Sequence, residues 1–302
     1  MVDITLTNVS VGQGLALADG LMLTQHFHAA LLLYRKILPE ARGDQRRAIL
    51  NRIVLASQPT PRTAAAFATL QQLERSTRDV FLGDGIATWL KTTPFLDDDR
   101  FMALADKHAK LIPIAGLHWN LATVLWAVKR AERLDGDLME LGVFRGHTTL
   151  FVAEYLGFAE WPRKWFLYDT FEGVPDDQLD EGWGERNERA YKDTFSYDEV
   201  AERFRPFPNI VLTKGRVPEI LDEVCPERIA FLHMDLNNSQ AEIAALDRLY
   251  DRIVPGGVIV FDDYGWAAAR TQYEAERAWF AKRGLEILLL PTGQGLFVKP
   301  ER

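Results

Sequence analysis

The chain has a single cysteine, Cys225, among 302 residues, so it can form no internal disulfide and no cysteine-rich zinc site. It has no long basic run. Against 43 Asp and Glu stand 35 Lys and Arg, a formal net charge of -8, which argues against nucleic acid or an anionic membrane as partner. Long apolar runs are missing too: stretches such as Ala29 to Leu33 and Ile287 to Leu290 fall far short of the roughly 20 residues that span a bilayer. Met1 to Val11 carries no basic segment followed by an apolar core, so no secretory leader is expected and the expected location is the cytoplasm. What is present is ordinary globular material, 47% hydrophobic and 26% charged, long enough for one large domain and a smaller one.

The first third reads as helical. Phe27 to Ile37, Arg46 to Ala56 and Thr63 to Leu73 repeat apolar residues at helical spacing, Pro59 and Pro61 punctuate them, and no obvious strand intervenes. His26, Ala29, Ala30, Leu33, Tyr34 and Ile37 resemble the first helix of a degenerate tetratricopeptide repeat, although any helical hairpin needs small and apolar residues at such positions. Asp97, Asp98 and Asp99 precede an apolar-periodic stretch, which predicts a cap and a helix through Leu104. Another helix is predicted from Trp119 to Leu134, with Leu121, Leu125, Val128 and Leu134 on its buried side, delivering the chain to the turn Asp135-Gly136-Asp137. The expected organisation is a helical N-terminal region over 1–85, a helical linker or cap over 86–136 and the main domain over 137–302.

After that turn, strand and helix patterns alternate, the signature of a parallel sheet covered on both faces. Strands are predicted at Leu138 to Leu141, Trp165 to Tyr168, Ile210 to Leu212, Ile229 to Met234, Val258 to Phe261, Leu285 to Leu290 and Gly295 to Lys299. Only Pro291-Thr292-Gly293-Gln294 joins the last two, too little for a crossover helix, so they pair as an antiparallel hairpin. The predicted fold class is α/β: a Rossmann-like sheet of the class I methyltransferase type, five parallel strands plus an antiparallel terminal hairpin, with an N-terminal all-α region. Nicotinamide-binding domains of this architecture usually keep their sixth strand parallel.

The first strand runs into Glu140-Leu141-Gly142-Val143-Phe144-Arg145-Gly146-His147-Thr148-Thr149. Ligands of open parallel sheets lie at the carboxyl ends of the strands, where glycine lets them approach the backbone, a role that suits Gly142 and Gly146. The spacing is not G-x-G-x-x-G, so the dinucleotide fingerprint is not met. Glu140 can accept from the amino group of a cofactor's methionine part, while Thr148 and nearby amides receive its carboxylate. A structural tight turn is the alternative. The second strand ends in Tyr168-Asp169-Thr170-Phe171-Glu172-Gly173. Asp169 lies roughly 20 to 30 residues past the glycine turn, where an acid can hold the ribose hydroxyls of an adenosine cofactor, with Thr170 beside it; helix capping is the alternative. Lys214-Gly215-Arg216 ends the third strand, where such folds contact adenine, and Arg216 reads equally well as an exposed charge. These positions predict S-adenosylmethionine as cofactor.

Three acids fall at the ends of two neighbouring strands: Asp235 after one, Asp262 and Asp263 after the next. Converging carboxylates repel one another strongly unless a cation joins them, and hard oxygen ligands favour Mg²⁺, with Mn²⁺ or Ca²⁺ as competitors. The alternative makes Asp235 a strand-end acid and Asp263 a helix cap. His233 is better read as a core histidine than as a base, and His147 is expected to line the cofactor site. Glu172 to Asp193, long, acidic and rich in Gly and Trp, is expected to be a mobile lid in which Trp183 either stacks on substrate or anchors the loop.

Together these residues resemble the macrocin O-methyltransferase family, whose members methylate sugar hydroxyls of natural products. The resemblance is carried by Glu140 to Gly146, by Asp169-Thr170-Phe171-Glu172-Gly173-Val174-Pro175 and by Pro255-Gly256-Gly257-Val258-Ile259-Val260-Phe261-Asp262-Asp263-Tyr264, and it covers about Leu117 to Pro300. It implies metal ligands at Asp235, Asp262 and Asp263 and cofactor positions at Glu140 and Asp169. Two features depart from the family. Leu236-Asn237-Asn238-Ser239 replaces the usual aromatic or polar run leading to Ser-Thr, and Met1 to Gly85 is foreign to the shorter members. The expected activity is methyl transfer to a hydroxyl of a small molecule, a sugar or vicinal diol, with two substrate oxygens chelating the ion and Asp235 taking the proton. A homo-oligomer is compatible with this. The competing expectation is an inactive methyltransferase fold that binds protein through its helical N-terminus, against which the intact acids and cofactor motifs weigh. The helical part is open to use as a dimer interface or as a wall of the active site.

Overall fold

A computed structural model of the chain describes residues 10–112, 114–192 and 194–301. Residues 1–9, where a leader is read as absent, and Asp193, at the end of the acidic segment, lie outside the described residues. The chain divides into two compact units, Met1–Trp119 and Asn120–Arg302. Among the described residues no helix is long and apolar enough to cross a membrane.

The first unit begins with α1 (Val11–Leu23), which the periodicity does not predict because Gly12, Gly14 and Gly20 break up its apolar face. A local signal does mark its start: Ser10 and Gln13 form a capping box, each satisfying the other's backbone amide. In α2 (Phe27–Ile37), Ala30, Leu33, Tyr34 and Ile37 are buried at helical spacing. Gly14 lets α1 approach it closely, since a Cβ there would come within 2.7 Å of Ile37. After α3 (Gly43–Ser57) and α4 (Thr63–Ser76), the Arg52 guanidinium, 5% exposed, ties three helices together. It donates to Asp19 of α1 at 2.8 Å and to Glu74 of α4 at 3.0 Å, and Tyr34 donates to the same Asp19 at 2.7 Å.

The all-helical reading lacks one element of this unit, the antiparallel pair β1 (Phe81–Gly83) and β2 (Ile86–Thr88). Asp84 and Gly85 turn between them with φ of 53° and 70°, the left-handed pair that an Asp-Gly hairpin turn requires. Asp98 then caps α5 (Asp99–His108), accepting from the Phe101 amide at 2.9 Å as the acidic run predicts. The next helix, α6, spans His118–Ala131, and the two units divide within its first turn.

The second unit is built on a sheet of β3 (Asp137–Leu141), β4 (Trp165–Asp169), β5 (Ile210–Lys214), β6 (Ile229–Met234), β7 (Ile253–Phe261), β8 (Leu288–Leu289) and β9 (Gly295–Val298). Among the described residues the strand order is β5-β4-β3-β6-β7-β9-β8. The first five strands run parallel, β9 lies antiparallel to β7, and β8 is antiparallel to β9. The terminal hairpin therefore forms as expected, although β8 is shorter than the predicted Leu285 to Leu290 and β7 starts earlier than Val258. The interleaved helices are α7 (His147–Leu156), α8 (Gly184–Ala190), α9 (Tyr197–Phe204), α10 (Ser239–Leu249) and α11 (Arg270–Ala281). Every residue of β6 is buried, as a central strand covered on both faces must be. Leu232, Met234, Ile259, Phe261, Leu246, Phe280 and Phe297 share one apolar cluster, and each such side chain contributes about 1.5–3 kcal/mol on burial. That core fixes the strand ends from which the site projects.

Candidate active site

The strand ends are locked in sequence across the sheet. The Gly142 amide donates to Tyr168, the Gly215 amide to Asp169, the Asp235 amide to Leu141 and the Asp262 amide to Met234, all at 2.8–3.0 Å. Gly142 holds a φ of +87°, and a Cβ on it would overlap the Asp235 carbonyl. Here glycine is required by the protein's own backbone, which brings the β3 turn against the residue ending β6. Gly146, φ +81°, is the N-cap of α7 and lies under the Phe204 ring. Thr148 follows, half-buried in the first turn of α7, and the N-terminal turn of a helix favours an anion. His147 is buried at the same turn.

Asp169 braces this turn. Its Oδ2 accepts from the Val143 and Phe144 amides at 2.9 and 2.8 Å, and its Oδ1 from the Phe171 amide at 2.7 Å. Burial raises its carboxyl against those hydrogen bonds. The Thr170 hydroxyl donates to the Gly173 carbonyl at 2.6 Å. A cleft of about 430 Å³ opens at the ends of β4 and β5, lined among others by Thr170, Glu172, Gly173, Lys214, Gly215 and Arg216. Gly215 packs on Ile220. Arg216 grips Asp177 through two hydrogen bonds of 2.9 and 2.6 Å, so it is a paired charge. Three of the residues expected to contact the cofactor, Thr170, Gly215 and Arg216, thus share one cleft.

Glu140 sits deeper, 3% exposed. One of its oxygens meets His233 Nδ1 at 2.9 Å and the other accepts from the Thr149 hydroxyl, so both are engaged inside the core. His233 Nε2 faces Asp262 Oδ1 at 3.4 Å. Burial works against a charged ring, yet the hydrogen bonds to Asp262 and Glu140 outweigh it and push the imidazole well above its usual value. His233 is a core histidine, as expected, and a charged one. Asp262 Oδ1 also accepts from Asn120 at 2.8 Å and from Gln294 at 3.3 Å. Burial opposes its ionisation, but these donors, led by His233, hold its carboxyl below the usual range.

The other two acids behave differently. Burial, then Asp262 and Asp263, push Asp235 well above the carboxylate range, and burial with Asp262 pushes Asp263 up to about 7. Asp235 Oδ1 accepts from Asn237 at 2.9 Å. The three acids are thus close enough to oppose one another's ionisation. Among the described residues, however, no three His, Cys, Asp or Glu side chains gather tightly enough to hold a metal ion.

The segment expected to be a mobile lid is pinned at several points. Asp180 accepts from the Ser239 amide and hydroxyl at 2.9 and 2.7 Å. Asn187, 1% exposed, bonds both the amide and the carbonyl of Val174. Trp183, 3% exposed, donates to the Ala268 carbonyl at 3.3 Å, which makes it the anchoring aromatic. Arg186 lies 4.4 Å over the Trp183 ring and bonds the Tyr191 hydroxyl at 3.4 Å. Burial and the charges of Asp235 and Asp263 push that hydroxyl upward. Sequence reasoning missed Asn120, Gln294, Arg186 and Tyr191. Gln294 falls in a segment read only as a turn, and Asn120 in a helix read only for its apolar face.

A five-stranded parallel sheet closed by an antiparallel strand inserted next to its edge, with a glycine turn on the central strand, defines a class I methyltransferase fold. The solved O-methyltransferase NovP shares it, with a TM-score of 0.52 and 20% identity over 63% of this chain and 82% of that one. The sequence profile described as Macrocin-O-methyltransferase (TylF) matches residues 118–285, and the chain belongs to that family. It is 26% identical over 163 residues to 8-demethyl-8-(2,3-dimethoxy-alpha-L-rhamnosyl)-tetracenomycin-C 4'-O-methyltransferase of Streptomyces olivaceus, covering 51% of this chain and 60% of that protein. It is 30% identical over 153 residues to mycinamicin III 3''-O-methyltransferase of Micromonospora griseorubida, covering 46% of this chain and 59% of that one. The chain thus spans about 60% of the length of these relatives.

Proposed function

We propose that the chain is an S-adenosylmethionine-dependent O-methyltransferase acting on a small-molecule hydroxyl, that of a sugar or vicinal diol of a natural product, with a divalent cation assisting. The observation that carries this reading is the delivery of Asp235, Asp262 and Asp263 by adjacent strands to the edge of the Gly142 turn, in a sheet of class I order. The relatives' names support the substrate class: both are O-methyltransferases, one of them named for a rhamnosyl-bearing compound.

In this reading Gly142, Gly146 and Thr148 border the methionine part of the cofactor, while Thr170, Gly215 and Arg216 border its adenosine. Asp169 uses acceptor capacity left over from bracing the turn, since each carboxylate oxygen has two lone pairs. Glu140, expected to touch the cofactor, acts through His233. Asp235, Asp262 and Asp263 would hold Mg²⁺, Mn²⁺ or Ca²⁺ once their carboxylates draw closer than they stand here, and the ion's hard charge would offset the repulsion that raises Asp235 and Asp263. When bound, S-adenosylmethionine would supply the sulfonium methyl, and a cation would supply Lewis acidity to the substrate hydroxyl.

The chain's own residues do the rest. Asp235, at the end of β6 beside the Gly142 turn, receives the hydroxyl proton. His233 keeps Asp262 ionised and fixed. Tyr191, Arg186 and the buried Trp183 form a cover that excludes water from the displacement. The experiment is transfer of radiolabel from S-adenosylmethionine to a panel of vicinal-diol glycosides, with and without EDTA. Label that appears and is lost on chelation supports the whole reading, label unaffected by EDTA removes the cation, and no label on any diol removes the substrate class.

A further inference from the structure

Three polar side chains beneath Asp235 play no part in the chemistry above. Glu242 on α10 and Gln272 and Glu276 on α11 are each 1–2% exposed, and acids this deep are rare unless paired. Glu242 Oε1 accepts from Gln272 Nε2 at 3.1 Å and from the Leu236 backbone amide at 3.2 Å. Glu276, one helical turn beyond Gln272, hydrogen-bonds to Glu242. Glu242 Oε2 and Glu276 Oε2 are buried with no donor from elsewhere among the described residues. Two carboxylates side by side away from water oppose each other's ionisation; burial pushes both up, and Glu242 pushes Glu276 further.

Stability gives no reason for this cluster, because well-packed apolar residues in place of a buried charged group are often neutral or stabilising. Its contact with the backbone does. Leu236 follows Asp235 directly. Asn238 caps α10 by accepting from the Ala241 amide at 2.7 Å, and the Asp235 amide is tied to Leu141 at 2.8 Å. Glu242 supplies the acceptor between those two anchors. We infer that Glu242 is a positioning residue for Asp235: it fixes the amide that follows Asp235, and Gln272 and Glu276 hold it in that pose. The inference rests on the reading of Asp235 as an acceptor-site carboxylate.

The test uses the full chain with S-adenosylhomocysteine present and two readouts, Mn²⁺ affinity and amide hydrogen exchange at Leu236. Glu242→Leu is expected to weaken Mn²⁺ binding by about 10- to 100-fold, the usual effect of removing a residue that orients a metal ligand. It is also expected to speed exchange at Leu236, with some loss of melting temperature because Gln272 and the Leu236 amide lose their acceptor. Glu242→Gln, whose carboxamide oxygen still accepts from Leu236, restores both readouts. If Glu242→Leu does not fold, a triple variant with Leu at 242, 272 and 276 fills the same space and carries the same two readouts. A folded variant with unchanged Mn²⁺ affinity and unchanged Leu236 exchange overturns the inference. Wild-type protein that binds no Mn²⁺ retires the cation instead. The exchange rate then decides alone: faster exchange confined to the Asp235–Ser239 loop supports the positioning role, and no change overturns it.

Discussion

Each unit buries histidines, and two of them, His118 and His233, do opposite work. In the first unit His118 is 8% exposed, its ring stacked on Phe95 at 5.7 Å and edge-on to Phe81 at 5.8 Å. Burial pushes it down to about 4, so at neutral pH it is an uncharged ring among rings. In the second unit His233 is 1% exposed and stays charged because Glu140 and Asp262 flank it. Depth is nearly the same; the partners differ. Burial alone therefore does not report the state of a histidine, and the charged one is the one tied to the candidate site. The first unit keeps its own ion network, Asp19-Arg52-Glu74, for joining helices, whereas the second spends its charges at strand ends.

The sharpest break of this contrast is His233→Phe. It removes the imidazole between buried Glu140 and part-buried Asp262 and is expected to cost about 3 kcal/mol, the low end for a broken buried pair, read from the urea unfolding midpoint; a loss below about 1 kcal/mol would mean that the ring is not charged. Gly142→Ala should come next. The left-handed backbone and the Asp235 carbonyl leave no place for a Cβ, so a loss of at least about 1–3 kcal/mol is expected, together with weaker S-adenosylmethionine binding by calorimetry. Unchanged melting would show that the turn can open.

His118→Phe is expected to be the mildest at pH 7, under about 1.5 kcal/mol, as a swap of similar volume. Its signature is the pH dependence. A base whose folded value is depressed from 6.5 to about 4 contributes stability that is fully present above pH 6.5 and is lost as pH falls toward 4, because the unfolded chain takes up the proton first. The variant lacks that loss, so its stability relative to wild type should rise as pH drops through this window. Parallel curves would contradict a neutral His118.

Much of this was legible beforehand, and the boundary is physical. Alternating strand and helix patterns and the short Pro291 to Gln294 link predict the sheet with its antiparallel hairpin, and the periodicity of Phe27 to Ile37 marks α2 to the residue. Local chemistry that was present but weak went unread: the Ser10 capping box behind a glycine-broken face, and the Asp84-Gly85 turn between strands of three residues each. Contacts made across the fold left no local trace. Asn120, His233 and Gln294 converge on one oxygen of Asp262 from sequence separations of 142, 29 and 32. Asp169 was read for what it could offer a ribose, while in the structure it also braces the backbone of the Val143-Phe144 turn, a role that only the folded turn reveals.

The central claim is that the second unit is a methyl-transferring site built around S-adenosylmethionine. Isothermal titration of S-adenosylmethionine into the folded wild-type chain tests it most directly. The account predicts saturable binding at one site per chain, weakened by Gly142→Ala; a folded chain that takes up no S-adenosylmethionine would contradict it.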